Sequence, residues 1–130
     1  MTDSEELQEL LEVSYRHVVK QGKPSYDASE KECLYKFGDL GCAAAPFIKE
    51  YIPDMENIGW TLLAEEYPVR LNPLAVKHAE FVSGVLQRAH DRAAVHAGPD
   101  DFLADYKSCL DNGIAIWNHD HPDQTVRMPE

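Results

Sequence analysis

Between Cys33 and Glu56 the chain loses the helical period that it keeps on both sides, and this interruption narrows the folds open to it. The stretch reads Cys-Leu-Tyr-Lys-Phe-Gly-Asp-Leu-Gly-Cys-Ala-Ala-Ala-Pro-Phe-Ile-Lys-Glu-Tyr-Ile-Pro-Asp-Met-Glu. Its aromatic and aliphatic side chains give it mass to bury, while its glycines, aspartates and prolines turn the backbone too often for a helix. It is too short to be a domain. The pattern predicts a small non-helical plug with helices packed around it, and Lys36-Phe-Gly-Asp-Leu-Gly41 predicts a tight hairpin near residues 32–44.

The flanking regions read as four helices. Leu7, Leu10, Leu11, Ser14, Tyr15, Val18 and Val19 recur at steps of three and four, which gives a helix over about 4–21. Thr2 with Glu5 reads as a capping box, with Ser4 as the competing cap, and Gly22 and Pro24 stop the helix. Residues 23–31 are polar and aperiodic, hence a loop. After Pro53, either Asp54 or Asn57 can cap a second helix near 55–66, which Pro68 ends. Asn72-Pro73 is a start signal for a third helix over 73–95, with Leu74, His78, Phe81, Val82, Val85, Leu86, Ala89 and Ala93 on one face. Gly98-Pro99-Asp100 breaks it, and Asp100 or Asp101 caps a fourth near 101–117, whose interior Gly113 is a candidate break. From His119 the period is gone, so residues 119–130 read as a flexible tail. The fold class is therefore mainly α: a single globular domain over 1–118, a bundle of about four helices around a short β-hairpin.

The plug also carries a resemblance. Gln21-Gly-Lys-Pro-Ser25, Cys33-Leu-Tyr35-Lys36, Cys42-Ala43, Ile48, Tyr51, Pro53, Met55-Glu56 and Leu86-Gln87-Arg-Ala-His90-Asp91 resemble a family of small uncharacterised proteins of bacteriophages and prophages. That family tends to read Cys-x-Tyr-Arg, a glycine-rich turn, Cys-Ala-x-Gly-x-Leu-Ile, then Tyr-x-Pro-x-Met-Glu. Here the turn is shorter, and Ala45 stands where the family has glycine. The resemblance implies a genomic setting and no established activity.

Charge and cysteine content exclude several classes. Twelve Lys and Arg against 23 Asp and Glu give a formal net charge of −11, which argues against direct binding to nucleic-acid phosphates or anionic membranes and favours basic protein partners. No apolar run approaches the roughly 18 residues that span a bilayer. Three cysteines and an acidic N-terminal stretch with no signal-peptide pattern point to the reducing cytoplasm. Cys33 and Cys42 lie too far apart for a Cys-x-x-Cys knuckle, and no second ligand pair follows, so they read as a reduced pair in the plug and Cys109 as core.

His90-Asp91 is the catalytic candidate, because metal-dependent phosphohydrolases hold divalent ions with a His-Asp pair and further ligands from neighbouring helices. A single dipeptide arises often by chance, and a chain this small supplies few further helices. No phosphate loop, nucleophile elbow or Ser-His-Asp order is present. Acidic residues fall in three groups: Asp3 to Glu12; Glu50, Asp54, Glu56, Glu65 and Glu66; and Asp100 to Asp111. The resulting expectation is a non-enzymatic, cofactor-free binding protein of phage type, acting in the bacterial cytoplasm on a host or defence protein with a basic surface. Its expected binding residues are Glu50, Asp54, Glu56, Glu65 and Glu66, with Tyr51 and Trp60 as aromatic anchors on which a second copy could also dock. The rivals are a metal-dependent hydrolase using His90 and Asp91, and a structural protein of the virion.

Overall fold

The computed structural model describes residues 1–96 and 100–130. Helix α1 (Asp3–Gln21) begins in the expected capping box: Thr2 accepts from the Glu5 N–H while Glu5 accepts from the Thr2 N–H. It ends at Gly22, whose φ of 73° is the left-handed conformation that glycine adopts without steric cost. Leu7, Leu10, Leu11, Ser14 and Val18 form its buried face.

Two hairpins follow where one was expected. Strand β1 (Tyr26–Asp27), inside the region read as a loop, pairs antiparallel with β2 (Glu32–Cys33) at the start of the range expected for the hairpin. Asp27 closes their turn by accepting from the N–H and hydroxyl of Ser29, a local contact that leaves no periodic trace in the sequence. Strands β3 (Lys36–Phe37) and β4 (Leu40–Gly41) form the expected hairpin, with Lys36 opposite Gly41. Gly41 has to be glycine, since a Cβ there would lie 2.6 Å from the Ala45 Cβ. The chain then descends through short 3₁₀ turns at Ala45–Phe47 and Pro53–Met55.

Helix α2 (Trp60–Glu66) starts later than expected, at Gly59, with no side-chain cap. Asn57 takes φ 67°, a left-handed turn that separates Pro53–Met55 from α2, so neither Asp54 nor Asn57 caps the helix. Asn72 does cap α3 (Pro73–Lys77), accepting from the Leu74 N–H. The long helix expected over 73–95 breaks at His78 (φ −106°, ψ 41°) and resumes as α4 (Ala79–Phe81), a π-helical turn (Val82–Gln87) and α5 (Arg88–His96). The expected break at Gly98-Pro99 lies outside the described residues. Helix α6 (Phe102–Asp120) runs past its expected end and through Gly113, where a Cβ would lie 3.7 Å from Val85 Cγ1 in ordinary contact, so the glycine neither clashes nor breaks it.

The core joins α1, α2, the π turn, α5 and α6, with Trp60, Phe81, Phe102 and Tyr106 its largest fully buried side chains. Among the described residues no helix is long and apolar enough to cross a membrane. The segment after α6, read as a flexible tail, is instead fastened to the bundle. Val126 is buried, its N–H and C=O both pair with the Asn118 amide, Gln8 and Arg127 exchange two bonds, and Ser4 donates to the Thr125 carbonyl. Trp117 Nε1 donates to the Gln124 carbonyl, and its ring stacks on His121 at 3.7 Å. These contacts need polar residues at set positions and no hydrophobic period, so a search for periodicity passes over them.

Candidate functional site

The two short hairpins cannot satisfy the backbone of this region, so single side chains reach in from Glu56 at the end of the plug and from the helices. Glu56 accepts from the N–H groups of Tyr35 and Lys36 and from the Tyr51 hydroxyl. Gln87, on the π turn, accepts from the Ala44 N–H, and Gln21 both donates to and accepts from the backbone of Gly41. Buried Ser14 donates to the Ala43 carbonyl at 2.7 Å.

A further fully buried link is His90, enclosed like Ser14, at the start of α5. The Ser25 N–H donates to its Nε2 at 3.1 Å, and its Nδ1 lies 2.9 Å from Asp91 Oδ1. A nitrogen that accepts must be bare, so these partners fix the neutral tautomer with its proton on Nδ1, directed at the carboxylate. Breaking the Ser25 contact would leave a buried N–H without a partner, at a cost of about 1–3 kcal/mol.

Cys33, from β2, completes the group: donor atoms of Cys33, His90 and Asp91 all lie within 4.8 Å of one another. Burial, then the charge of Asp91 and a hydrogen bond to it, push the Cys33 thiol far above its ordinary range. Burial likewise drives Cys42 up to about 12, against the Ala44 N–H, which favours its thiolate. Both are free thiols, and neither is a ready nucleophile at neutral pH, since the thiolate is the reactive form. Cys109, expected in the core, is half-buried on α6.

Beside this group opens a cavity of about 500 Å³, walled by Cys33, Ser83, Gln87, Arg88, Asp91 and Arg92 among others. The π turn shapes its wall by widening the helix where Ser83 and Gln87 face it, a distortion frequent at functional sites. Among the described residues, neither Arg88 nor Arg92 has a carboxylate within ion-pair distance. A second cluster, Asp3, Glu6 and His78, already holds a cation: Lys77 Nζ lies 2.9 Å from Glu6 and 3.4 Å from Asp3. The Lys77 and His78 hydrogen bonds keep the Glu6 carboxyl below its usual range.

The residues expected to bind a partner do not form one surface of equal character. Trp60 is not an exposed anchor, because it is 1% exposed and its Nε1 donates to the Ala75 carbonyl. Glu56 is occupied by the plug, Tyr51 donates to it, and Glu50 pairs with Arg70 at 2.8 Å. Asp54, Glu65 and Glu66 remain exposed, with no ion pair among the described residues. Sequence reading singled out Cys33 and His90-Asp91 separately and had no signal to unite them, since only the placement of β2 against α5 does so. No protein-family model, curated protein or solved structure matches the chain.

Proposed function

We propose that this is a small acidic binding protein whose partner is a basic protein surface. The observation that carries the reading lies on α2, where Leu62, Glu65 and Glu66 share one face by their spacing. All three are exposed, Leu62 at 47%, and Val69 beyond the helix at 84%. Two exposed carboxylates, with no ion pair among the described residues, beside exposed apolar side chains suit a surface that offers Lys or Arg around an apolar contact: charge steers the approach and the apolar contact slows release. The resemblance to phage and prophage proteins makes a host or defence protein of the bacterial cytoplasm the proposed class of partner. The net charge of −11 makes a surface that otherwise contacts nucleic acid a natural target.

An affinity capture from bacterial lysate at low and high salt tests this. One basic partner should be retained at about 0.1 M salt and lost toward 1 M, as the Debye length falls from about 10 Å to 3 Å. Glu65→Gln with Glu66→Gln should weaken capture, while Glu50→Gln, whose carboxylate is already paired, should change it less. Retention at 1 M salt, or indifference to the Glu65 and Glu66 changes, would overturn the proposal.

A further inference from the structure

We infer that Cys33, His90 and Asp91 form a binding site for one divalent transition-metal ion, with zinc the best match, independent of the acidic face on α2. A thiol, an imidazole and a carboxylate make the mixed S, N and O donor set that zinc accepts, and three protein ligands leave a fourth position for water. Their donor atoms lie within 4.8 Å of one another, and His90 is fully buried. A tetrahedral ion with bonds of about 2.0–2.3 Å spaces its ligands roughly 3.3–3.8 Å apart, so closure needs only small side-chain shifts. In the metal-free protein the His90 Nδ1–H points at Asp91, and the Cys33 thiol lies within 4.8 Å of both groups. The raised thiol reflects burial beside a negative carboxylate, and a bound dication reverses the electrostatic part of that effect.

Loading has a structural consequence peculiar to this site. The ion takes Nδ1 and displaces its proton, so a neutral imidazole carries its proton on Nε2, where it meets the Ser25 N–H. Two donors then face each other. The Ser25 amide must move away, loosening β1 from α5 at Ser25 while the Cys33–metal bond holds the neighbouring strand β2, whose Cys33 pairs with Tyr26. In the coordination step the Cys33 thiol proton leaves to solvent, the His90 proton moves from Nδ1 to Nε2, and no electron is transferred. The Asp3, Glu6 and His78 cluster does not compete, because Lys77 occupies it.

The test titrates the metal-free, reduced full-length chain with Co²⁺ and Zn²⁺ and follows thiolate-to-cobalt charge-transfer absorption. The expected result is one ion per chain, a band that zinc abolishes, and faster hydrogen exchange of the Ser25 amide in the zinc form. Asp91→Asn should weaken binding about tenfold or more, and Cys33→Ser should remove the band. Cys109→Ser and the double change His119→Ala, His121→Ala should leave it intact. A wild-type chain that binds no stoichiometric metal overturns the inference, as does a band that survives both Cys33→Ser and Asp91→Asn. If Cys33→Ser does not fold, Asp91→Asn and the Ser25 exchange rate decide between the outcomes.

Discussion

Helices α1 and α6 satisfy their backbone polar groups through their own repeating bonds, whereas the segment from Ser25 to Lys36 and on through Ala44 depends on side chains sent in by its neighbours. In a helix, losing one side chain leaves the ladder intact and costs mainly packing. In the plug, one carboxylate or imidazole holds N–H groups that have no other partner, so a single substitution can release a whole stretch of chain. The two regions also differ in what they expose to chemistry. The helices bury apolar faces, while at their boundary with the plug Cys33 and Glu56 meet Gln87 and Asp91 around one cavity, and fully buried His90 lies beside Cys33 and Asp91.

The largest effect is expected in the helical region. Leu110→Ala removes a fully buried side chain from α6 and should cost about 2–5 kcal/mol, lowering hydrogen-exchange protection in every element together. Glu56→Ala should cost about 3 kcal/mol, because it removes three hydrogen bonds, two of them from backbone amides to an ionised acceptor. Here the distribution matters more than the size: exchange should quicken at Tyr35 and Lys36 well before α1 and α6 respond. Uniform loss in both variants would erase the distinction between the two regions.

Tyr106→Phe sharpens the comparison from the other side. The Tyr106 ring stacks between Tyr15 and Phe102 in the helical core, and its buried hydroxyl has no hydrogen-bond partner among the described residues. Deleting it should leave stability unchanged or raise it by about 1 kcal/mol in denaturant titration. A clear loss would mean that the hydroxyl is satisfied in solution. The smallest effect is a pH dependence at the α1–α3 contact. Glu6 sits below its ordinary value of 4.5, chiefly through the hydrogen bond from Lys77, so its stabilising contribution is complete above that pH and fades as pH falls through the lower folded value. Lys77 is raised from 10.5 by the same bond, and its share is lost only as pH rises through that higher value. Glu6→Gln should therefore flatten the acid limb of a plot of Tm against pH, with a change at neutral pH that is small because its Lys77 partner is exposed to solvent. An acid limb identical to wild type would remove the pair from the account.

Much of the helical region could be read directly from the residues. The Thr2 and Glu5 box, the Gly22 stop, the Asn72-Pro73 start and the apolar stripes of α1 and α6 are local signals, each spanning no more than a few turns of one element. The Gly38-Asp39 hairpin belongs with them, since its turn chemistry lies inside the turn. Trp60 shows where that legibility stops: it reads as an aromatic anchor for a partner, but the Ala75 carbonyl and the core take both its polar and its apolar surface.

The sequence by itself determined the helical class, the cap and stop of α1, the Asn72 start of α3, the position of the non-helical plug and the strong negative charge, because each depends on residues close together in the chain or on their sum. Only the tertiary structure decided that Cys33 meets His90 and Asp91, that Glu56 faces inward, that the long helix opens into a π turn and that the C-terminal segment lies fastened along α1. Those outcomes hang on hydrogen bonds between residues distant in sequence. Their directions are fixed only when the elements dock, and a one-dimensional pattern carries no record of which donor will face which acceptor.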